Sequence, residues 1–275
     1  MEFQAVLIPA AILAGLGAVF GVLLAVASRV FAVKVDERVP QVREALPGAN
    51  CGGCGFSGCD ALAAAIVEGK AEPTACTVGG NAAAQAIAAI MGVTVAVQKP
   101  KRAVVLCAGD CDSAKQKYAY EGAGDCIAAE RLAGGKKRCA AGCLGEGSCA
   151  AVCANDAISI VNGVAVVDPV KCGGCGACVQ TCPKKLIVLV PRDAAFYVSC
   201  SSHEKGPAVN SSCRVGCIGC GLCKRACEHD AITVTDFLAT IDYEKCVGCG
   251  KCTEKCPRHI IHSLKATPQG NLVLK

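Results

Sequence analysis

The sequence predicts an α+β protein made of an apolar N-terminal helix, a small helical domain and two homologous modules of short strands. Three observations lead to this prediction. Cysteine accounts for 25 of the 275 residues, far above ordinary usage. A long uncharged apolar stretch lies near the N-terminus. The second half contains an internal repeat in which short β-type runs alternate with groups of cysteines.

The apolar stretch runs from Ala5 to Ala27 without a charged residue. At about 1.5 Å per residue, its roughly 23 residues would cross a hydrocarbon core of about 30 Å. A cleaved signal peptide is the alternative, but it would need a basic segment before a shorter apolar core, and only residues 1–4 precede this stretch. We therefore expect residues 1–28 to form a single retained transmembrane helix.

The charges beside this helix predict its orientation. Arg29, Lys34, Arg38 and Arg43 all follow the helix, and no basic residue precedes it. Because positively charged flanks stay in the cytoplasm, the rest of the chain is expected on the cytoplasmic side of the cell (inner) membrane. That compartment keeps thiols reduced, which disfavours a disulfide framework and favours ligation of metals or clusters.

Composition excludes several classes of function. A formal net charge of +5 and an aromatic content of 4% are too modest for a nucleic-acid binder. No G-x-x-x-x-G-K-[ST] phosphate loop occurs, so the sequence shows no nucleotide site of its own. The four histidines do not pair at metal-ligand spacing. We predict no catalytic side chain, and we expect the chemistry to reside at the cysteines.

Residues 29–98 are predicted to form the small helical domain. Ala-rich runs at 61–68 and 81–91 favour helices. Residues 93–97 resemble a short strand. Residues 98–102, rich in lysine with proline and arginine, are predicted to form a linker to the repeated part.

The first cysteine motif lies in this helical domain and has the spacing C-x2-C-x4-C-x16-C. Glycines surround it and would let the backbone approach a cluster and point N–H groups at its sulfides. We predict an iron–sulfur cluster here, with zinc as the alternative. The predicted ligands are Cys51, Cys54, Cys59 and Cys76.

The internal repeat predicts two modules, residues 99–192 and 193–275. Aligning residues 139–158 with residues 213–232 places their cysteines in register with one exception. Each copy continues with two strand-like runs and a second cysteine group. The predicted strands are Ile158–Val161 and Val164–Asp168 in the first module, and Ile232–Thr235 and Ala239–Asp242 in the second.

The second cysteine group of each module has the spacing C-x2-C-x2-C-x3-C-P. This spacing is typical of bacterial two-cluster ferredoxins, in which three thiolates bind one [4Fe–4S] cluster and the fourth binds its neighbour. Zinc is the alternative, but it prefers two separated C-x-x-C pairs. The motifs are Cys172, Cys175, Cys178 and Cys182, followed by Pro183, and Cys246, Cys249, Cys252 and Cys256, followed by Pro257.

The crossing of the fourth thiolate predicts three complete ligand sets in the modules. The sets are Cys217, Cys220, Cys223 and Cys256; Cys246, Cys249, Cys252 and Cys227; and Cys172, Cys175, Cys178 and Cys153. Together with the first motif and one incomplete set in the first module, they predict at least five [4Fe–4S] clusters. The fold class is accordingly a transmembrane helix, a small helical Fe–S domain and two tandem bacterial two-cluster ferredoxin-like modules.

The fifth set is incomplete, because Glu146 stands where Cys220 stands in the second copy. Cys143, Cys149 and Cys182 then leave three possibilities: a [3Fe–4S] cluster, a Glu146 carboxylate ligand, or Cys139 as the fourth thiolate. We favour Cys139, since iron in a cluster prefers soft sulfur to a hard carboxylate. An additional cluster is possible from the cysteines outside these motifs, namely Cys107, Cys111, Cys126, Cys200 and Cys213.

Three features of the chain occur together: the segment Leu46-Pro47-Gly48-Ala49-Asn50-Cys51-Gly52-Gly53-Cys54-Gly55, the spacing to Cys59 and Cys76, and the ferredoxin motifs behind them. In this combination the chain resembles the B-type subunit of the Rnf/Rsx ion-translocating electron-transport complexes. The second ferredoxin pair makes the chain similar to the longer forms of this subunit.

The resemblance implies an iron–sulfur subunit of an ion-translocating ferredoxin–NAD oxidoreductase, a translocase. Such a subunit takes electrons from reduced soluble ferredoxin and passes them along a complex that reduces NAD and moves Na+ or H+. Its partners are the other membrane and peripheral subunits, and not nucleic acid. Two alternatives remain at this point: a Rsx-type reductase that keeps a redox-sensing transcription factor reduced, and a membrane-tethered zinc scaffold.

Overall fold

The structure is a computed structural model that describes residues 2–30, 36–96 and 99–264. Helix α1 covers Glu2–Val30, and its side chains are described from Leu13 to Arg29. All eight large apolar side chains in that stretch are exposed, Leu13 and Leu24 to about 70%. In the part of the chain that the structure describes, no helix meets the combined length and hydropathy of a membrane span.

Three helices form the Fe–S domain, which is the name used here for residues 36–96. They are α2 (Arg38–Ala45), α3 (Cys59–Val67) and α4 (Gly80–Met91). Apolar side chains recur at helical spacing and meet in one core, in which Val42, Leu62, Ile66 and Ile87 are at most 1% exposed. Each such burial contributes roughly 1.5–3 kcal/mol. The two helices predicted from the Ala-rich runs are confirmed.

The predicted strand and linker after α4 are wrong. Gly92, in the left-handed conformation at φ 68°, ends α4, and residues 93–96 form no strand. Residues 97–98 lie outside the described chain. The polar run that suggested a linker instead enters strand β1 (Lys101–Val105), which pairs antiparallel with β4 (Ile187–Pro191). This pairing buries the apolar half of β1, a long-range gain that the local sequence does not reveal.

The first module contains two antiparallel pairs, β1 with β4 and β2 with β3. Three short helices lie between the strands. Besides β1 and β4, its elements are α5 (Cys126–Arg131), α6 (Ser148–Ala151), β2 (Ile158–Val161), β3 (Val164–Val167) and α7 (Ala177–Thr181).

The second module repeats this plan, with β5 paired to β8 and β6 paired to β7. Its elements are β5 (Phe196–Val198), α8 (Gly206–Ser212), α9 (Leu222–Arg225), β6 (Ile232–Thr235), β7 (Leu238–Ile241), α10 (Lys251–Lys255) and β8 (Ile261–Ser263). The four predicted strands of the repeat are confirmed. β3 ends one residue earlier than predicted, and β7 lies one residue earlier at both ends.

Arg102 holds the two modules together. Its side chain is 7% exposed, and its guanidinium donates to the carbonyl oxygens of Leu264 at 2.9 Å and Ala194 at 2.7 Å. Burial lowers the pKa of this guanidinium, but hydrogen bonds to two carbonyls offset part of the cost of desolvating the charge. A residue that the sequence placed in a linker therefore forms a buried bond between β1 and the end of the second module.

Candidate metal centres

All 25 cysteines are free thiols in the structure. Most are buried or half-buried. Four of the short helices that carry them, α6, α7, α9 and α10, begin after glycines in the left-handed conformation, such as Gly176 at φ 82° and Gly250 at φ 81°. These turns reverse the backbone between successive cysteines, so that the thiols of one motif point into a common space.

The second module brings together both predicted ligand sets. The thiols of Cys217, Cys220 and Cys256 surround Cys223, and burial followed by these neighbours raises the pKa of Cys223 to about 11. These four cysteines and Pro257 line a common cavity. We call these four residues the Cys256 group.

The other set of the second module is equally compact. Burial, with added repulsion from Cys246, Cys249 and Cys227, raises the pKa of the Cys252 thiol. The same four cysteines line a second common cavity. We call them the Cys227 group.

The first module brings Cys153 to the three thiols of the Cys172 motif. Burial raises the pKa of Cys178 to about 11, and Cys175, Cys172 and Cys153 contribute to the shift. Two backbone donors point at this set, Ala103 N–H to Cys172 Sγ at 3.4 Å and Ala157 N–H to Cys153 Sγ at 3.3 Å. We call Cys153, Cys172, Cys175 and Cys178 the Cys153 group.

The incomplete fifth set acquires a fourth thiol from Cys126, which the sequence motifs did not assign to it. Cys126 lies near Cys149, and the two line a common cavity together with Cys143 and Cys182. Burial, followed by these neighbouring thiols, raises the pKa of Cys149 to about 12. We call these four residues the Cys126 group.

A polar network positions Cys126. Asp125 caps α5 through the N–H of Ala128 at 2.9 Å, and its other oxygen accepts the Ser148 hydroxyl at 2.7 Å. The Ser148 oxygen in turn accepts the N–H of Cys126 at 2.7 Å. Since Ser148 begins α6, which carries Cys149, the network ties the two cysteines together. An N-cap aspartate directly before a cysteine was the only local signal in the sequence.

The structure does not bring Glu146 or Cys139 to this set. The Glu146 carboxylate accepts the Lys136 ammonium at 2.7 Å, with both side chains mostly buried. Cys139 instead lies with Cys107, Cys200 and Cys213. The arrangement therefore favours Cys126 over Cys139 as the fourth thiol beside Cys149.

The Fe–S domain carries the Cys76 group, made of Cys51, Cys54, Cys59 and Cys76. Cys54 and Cys59 lie near Cys76, whose thiol pKa is raised chiefly by burial, and Cys51 is on the exposed loop just before Cys54. The N–H of Gly79 donates to Cys76 Sγ at 3.3 Å. Asn50 holds the loop by accepting the Cys59 N–H at 2.8 Å.

This loop packs directly against the Cys153 group. The Gln180 side chain donates to the Gly53 carbonyl at 3.2 Å, and the Thr77 hydroxyl donates to the Cys175 carbonyl at 2.9 Å. A Cβ on Gly53 would lie 2.6 Å from the same Cys175 oxygen, so glycine is required at this contact. The Cys76 and Cys153 groups are therefore neighbours.

The donor chemistry of these groups fits iron–sulfur clusters. Each offers soft thiols in an apolar setting, and the backbone N–H bonds to sulfur stabilise the thiolate form. A buried thiol with a pKa near 11 or 12 becomes a ligand when a cationic centre displaces its proton. Among the described residues, no three His, Cys, Asp or Glu side chains form a site suited to a single metal ion.

Three sequence families match parts of the chain. A family of Fe–S cluster segments matches residues 46–78, which contain the Cys76 group. A 4Fe-4S binding domain matches residues 165–188, and a 4Fe-4S dicluster domain matches residues 216–260.

Similar proteins share most of the chain. It is 50% identical over 243 residues to the B-type subunit of the Na+-translocating ferredoxin:NAD+ oxidoreductase complex of Acetobacterium woodii, covering 88% of this chain and 73% of that protein. It is 42% identical over 236 residues to the B-type subunit of an ion-translocating oxidoreductase complex of Methanosarcina acetivorans, covering 86% and 89%. The chain belongs to the family of B-type subunits of these complexes.

A third member of this family differs in the ion that its name gives. The chain is 40% identical over 229 residues to the B-type subunit of the proton-translocating ferredoxin:NAD+ oxidoreductase complex of Clostridium ljungdahlii, covering 82% of this chain and 81% of that protein. Family membership confirms the resemblance drawn from the segment at residues 46–55. Together with the 4Fe-4S matches, it makes the chain an iron–sulfur electron-transfer subunit of the Rnf complex.

Proposed function

We propose that this chain is the cluster-bearing subunit of a membrane-bound ferredoxin:NAD+ oxidoreductase complex that couples electron flow to Na+ or H+ translocation. Reduced ferredoxin is its electron donor, and the other membrane and peripheral subunits of the complex are its partners. The names of its relatives support this assignment. The observation that carries it is the set of four-thiol groups that continue from the second module, through the first module, to the Fe–S domain.

Five [4Fe–4S] clusters would be held by the Cys76, Cys153, Cys126, Cys256 and Cys227 groups, and these clusters supply one-electron redox chemistry when bound. The chain supplies the thiolates, excludes water through apolar walls, and directs backbone N–H groups at the sulfurs. Such N–H bonds favour the reduced state of a cluster and so raise its potential.

The order of the groups follows from contacts between them. Cys178 of the Cys153 group lies near Cys149 of the Cys126 group. On its other side, the Cys153 group contacts the Cys76 group through Gly53 and Cys175. The Fe–S domain therefore stands at one end of the series, next to α1 in the sequence, and the second module stands at the other.

Exposed residues of the second module make it the docking surface for ferredoxin. Cys249 is exposed, and Val247 beside it is 63% exposed. Lys224 and Arg225 are exposed near the Cys256 group and offer positive charge to an acidic redox partner. Electrons would then leave the chain at the Cys76 group.

Helix α1 is proposed as the membrane anchor, with the cluster domains on the cytoplasmic side. Its exposed apolar side chains support this, because large apolar residues facing solvent on every side of a helix are costly unless lipid or protein covers them. Protease added to sealed right-side-out cells should leave the cluster domains intact. Digestion of those domains would refute the orientation.

Replacing Cys54 by Ser tests the assignment in membranes that contain the assembled complex. Ferredoxin should still reduce the clusters of both modules, while NAD+ reduction should fall by a factor of about ten or more, since one lost site interrupts the series. Cys111→Ser is the matched control, since Cys111 is exposed and belongs to none of the five groups. Normal NAD+ reduction by the Cys54 variant would remove the Cys76 group from the electron path.

A further inference from the structure

We propose that Cys107, Cys139, Cys200 and Cys213 bind a sixth iron–sulfur cluster, shared between the two modules with two thiolates from each. We call these residues the shared group. The inference rests on the proposed function, because it extends a series of cluster sites, but it depends on its own set of contacts.

The repeat makes the four cysteines two equivalent pairs. Cys107 follows β1 by two residues, and Cys200 follows β5 by two residues. Cys139 and Cys213 stand four residues before Cys143 and Cys217, the first cysteines of the two aligned motifs. One cysteine of each kind therefore comes from each module.

The same hydrogen bond is present in both copies. The N–H of Cys143 donates to Cys107 Sγ at 3.4 Å, and the N–H of Cys217 donates to Cys200 Sγ at 3.3 Å. Each sulfur thus lies beside the backbone of a neighbouring cluster motif and accepts a bond that stabilises a thiolate. The repeated bond makes Cys107 and Cys200 equivalent positions of the two modules.

The two pairs meet where the modules join. The N–H of Ala108 donates to the Ser199 carbonyl at 3.0 Å, which places the Cys107 and Cys200 loops side by side. A Cβ on Gly109 would lie 3.8 Å from Cys107 Sγ and 3.1 Å from Cys213 Sγ. Sulfurs from different modules therefore flank the same glycine.

A short segment joins the Cys139 and Cys213 loops. The N–H of Arg138 donates to the Lys115 carbonyl at 2.7 Å, and the N–H of Lys115 donates to the Ser212 carbonyl at 2.9 Å. Ala114 also forms a β-bridge with Cys213. Residues 114–115 thus hold the loops that precede the two motifs against each other.

Burial and charge around the shared group match a cluster. Burial raises the pKa of Cys139 to about 12, and the nearby thiols of Cys107, Cys200 and Cys213 add to the shift. Four crowded, desolvated thiols become thiolates when a cationic centre binds their sulfurs and their protons are released to solvent. The donor set is again four soft sulfurs, as in the other groups.

Lys137 supplies a positive charge beside this set. Its side chain is 1% exposed, and its ammonium donates to the carbonyls of Gly109 at 2.7 Å and Gly163 at 2.8 Å. Within the described residues no salt bridge pairs this ammonium with a carboxylate. A cluster with four thiolates carries net negative charge, which would compensate the cost of burying an ammonium.

The assignment also accounts for the cysteine content. Six groups of four thiols include every cysteine except Cys111, which is exposed. The shared group lies between the Cys126 and Cys256 groups, because it contacts Cys143 on one side and Cys217 on the other. It therefore fills the gap between the two modules in the series of sites.

Iron and acid-labile sulfide analysis of the anaerobically isolated full chain tests the proposal. The parent should contain about 24 iron atoms per chain, as six [4Fe–4S] clusters require. Cys213→Ala and Cys200→Ala should each lose between about one and four iron atoms, or show a new [3Fe–4S] EPR signal. Cys111→Ser should match the parent in both measurements.

The outcomes separate this proposal from the proposed function. A parent with about 20 iron atoms would overturn the sixth cluster and leave the five others in place. One zinc ion per chain that is lost in Cys213→Ala would also overturn it. A parent without acid-labile sulfide would overturn the proposed function itself. Because the iron content of the parent is decisive alone, misfolding of a variant does not prevent the test.

Discussion

Replacing Cys126 by Ala is expected to convert one cluster of the first module to a [3Fe–4S] form. Cys126 is 9% exposed and lies beside Cys149 in the Cys126 group. The network of Asp125 and Ser148 that positions its backbone does not involve the thiol. The substitution therefore removes a ligand and leaves the local fold in place.

The magnitude follows from the ligand count. A [4Fe–4S] cluster that loses one protein thiolate loses about one iron atom, and the oxidised [3Fe–4S] product contributes about one spin per chain. Cys139→Ala should produce a similar change at a different site, the shared group. The double variant should therefore show about two spins per chain, since independent sites add.

Spin quantification by EPR, combined with iron analysis of anaerobically purified protein, measures both quantities. Glu146→Gln is the control, because its carboxylate is engaged by Lys136 and no cluster should change. If Cys126→Ala retained the parent iron content and showed no [3Fe–4S] signal, Cys126 would not be a cluster ligand. The argument from the cavity would then fail.

Three further predictions follow from the contacts. Gly53→Ala should destabilise the packing of the Fe–S domain on the first module by about 1–3 kcal/mol, because the new Cβ would lie 2.6 Å from the Cys175 oxygen. Urea unfolding measures this loss, and Gln180→Ala is the milder comparison. Lys137→Met should lower the reduction potential of the nearest cluster by roughly 50 mV, because a buried positive charge favours the reduced state of the cluster. Lys137→Arg keeps the charge and should preserve the potential. Potentiometric EPR measures both variants, and an unchanged potential in Lys137→Met would contradict the prediction. Without its clusters, the chain should be most stable below about pH 8.5, the pKa of a thiol in the unfolded state. Its stability should decline as the pH rises toward about 12, the pKa of Cys149 in the folded state, because in this range only the unfolded state readily releases the thiol proton. Urea unfolding of the cluster-free chain at several pH values checks this, and stability that increases above about pH 9 would contradict it.

Local spacing explains which groups could be predicted from the sequence. The Cys153, Cys227 and Cys256 groups each draw three thiols from a compact motif, and the fourth comes from a motif of the same kind. Their turns require little more than the repeated glycines. The structure assembles the thiols of these three groups as the spacing predicts, while the ligation itself stays a prediction.

The remaining groups depend on contacts that spacing does not encode. Cys126 reaches Cys149 only because Asp125 and Ser148 bond across two helices. The shared group takes one cysteine from each of four distant segments, so no motif contains two of its members. Strand β1 was missed for the same reason, because its charged start is stabilised by pairing with β4 far along the chain.

The shared group also imposes an order on biosynthesis. Chains fold from the N-terminus as they are made, so the Fe–S domain has its last thiol once Cys76 emerges from the ribosome. The Cys153 and Cys126 groups have all their thiols once Cys182 has been made. The pair of Cys107 and Cys139 must wait until Cys213 has been synthesised. A nascent first module therefore exposes two unsatisfied thiols beside a buried lysine. Truncated products that end between the modules should be the ones most easily oxidised and degraded in the cell.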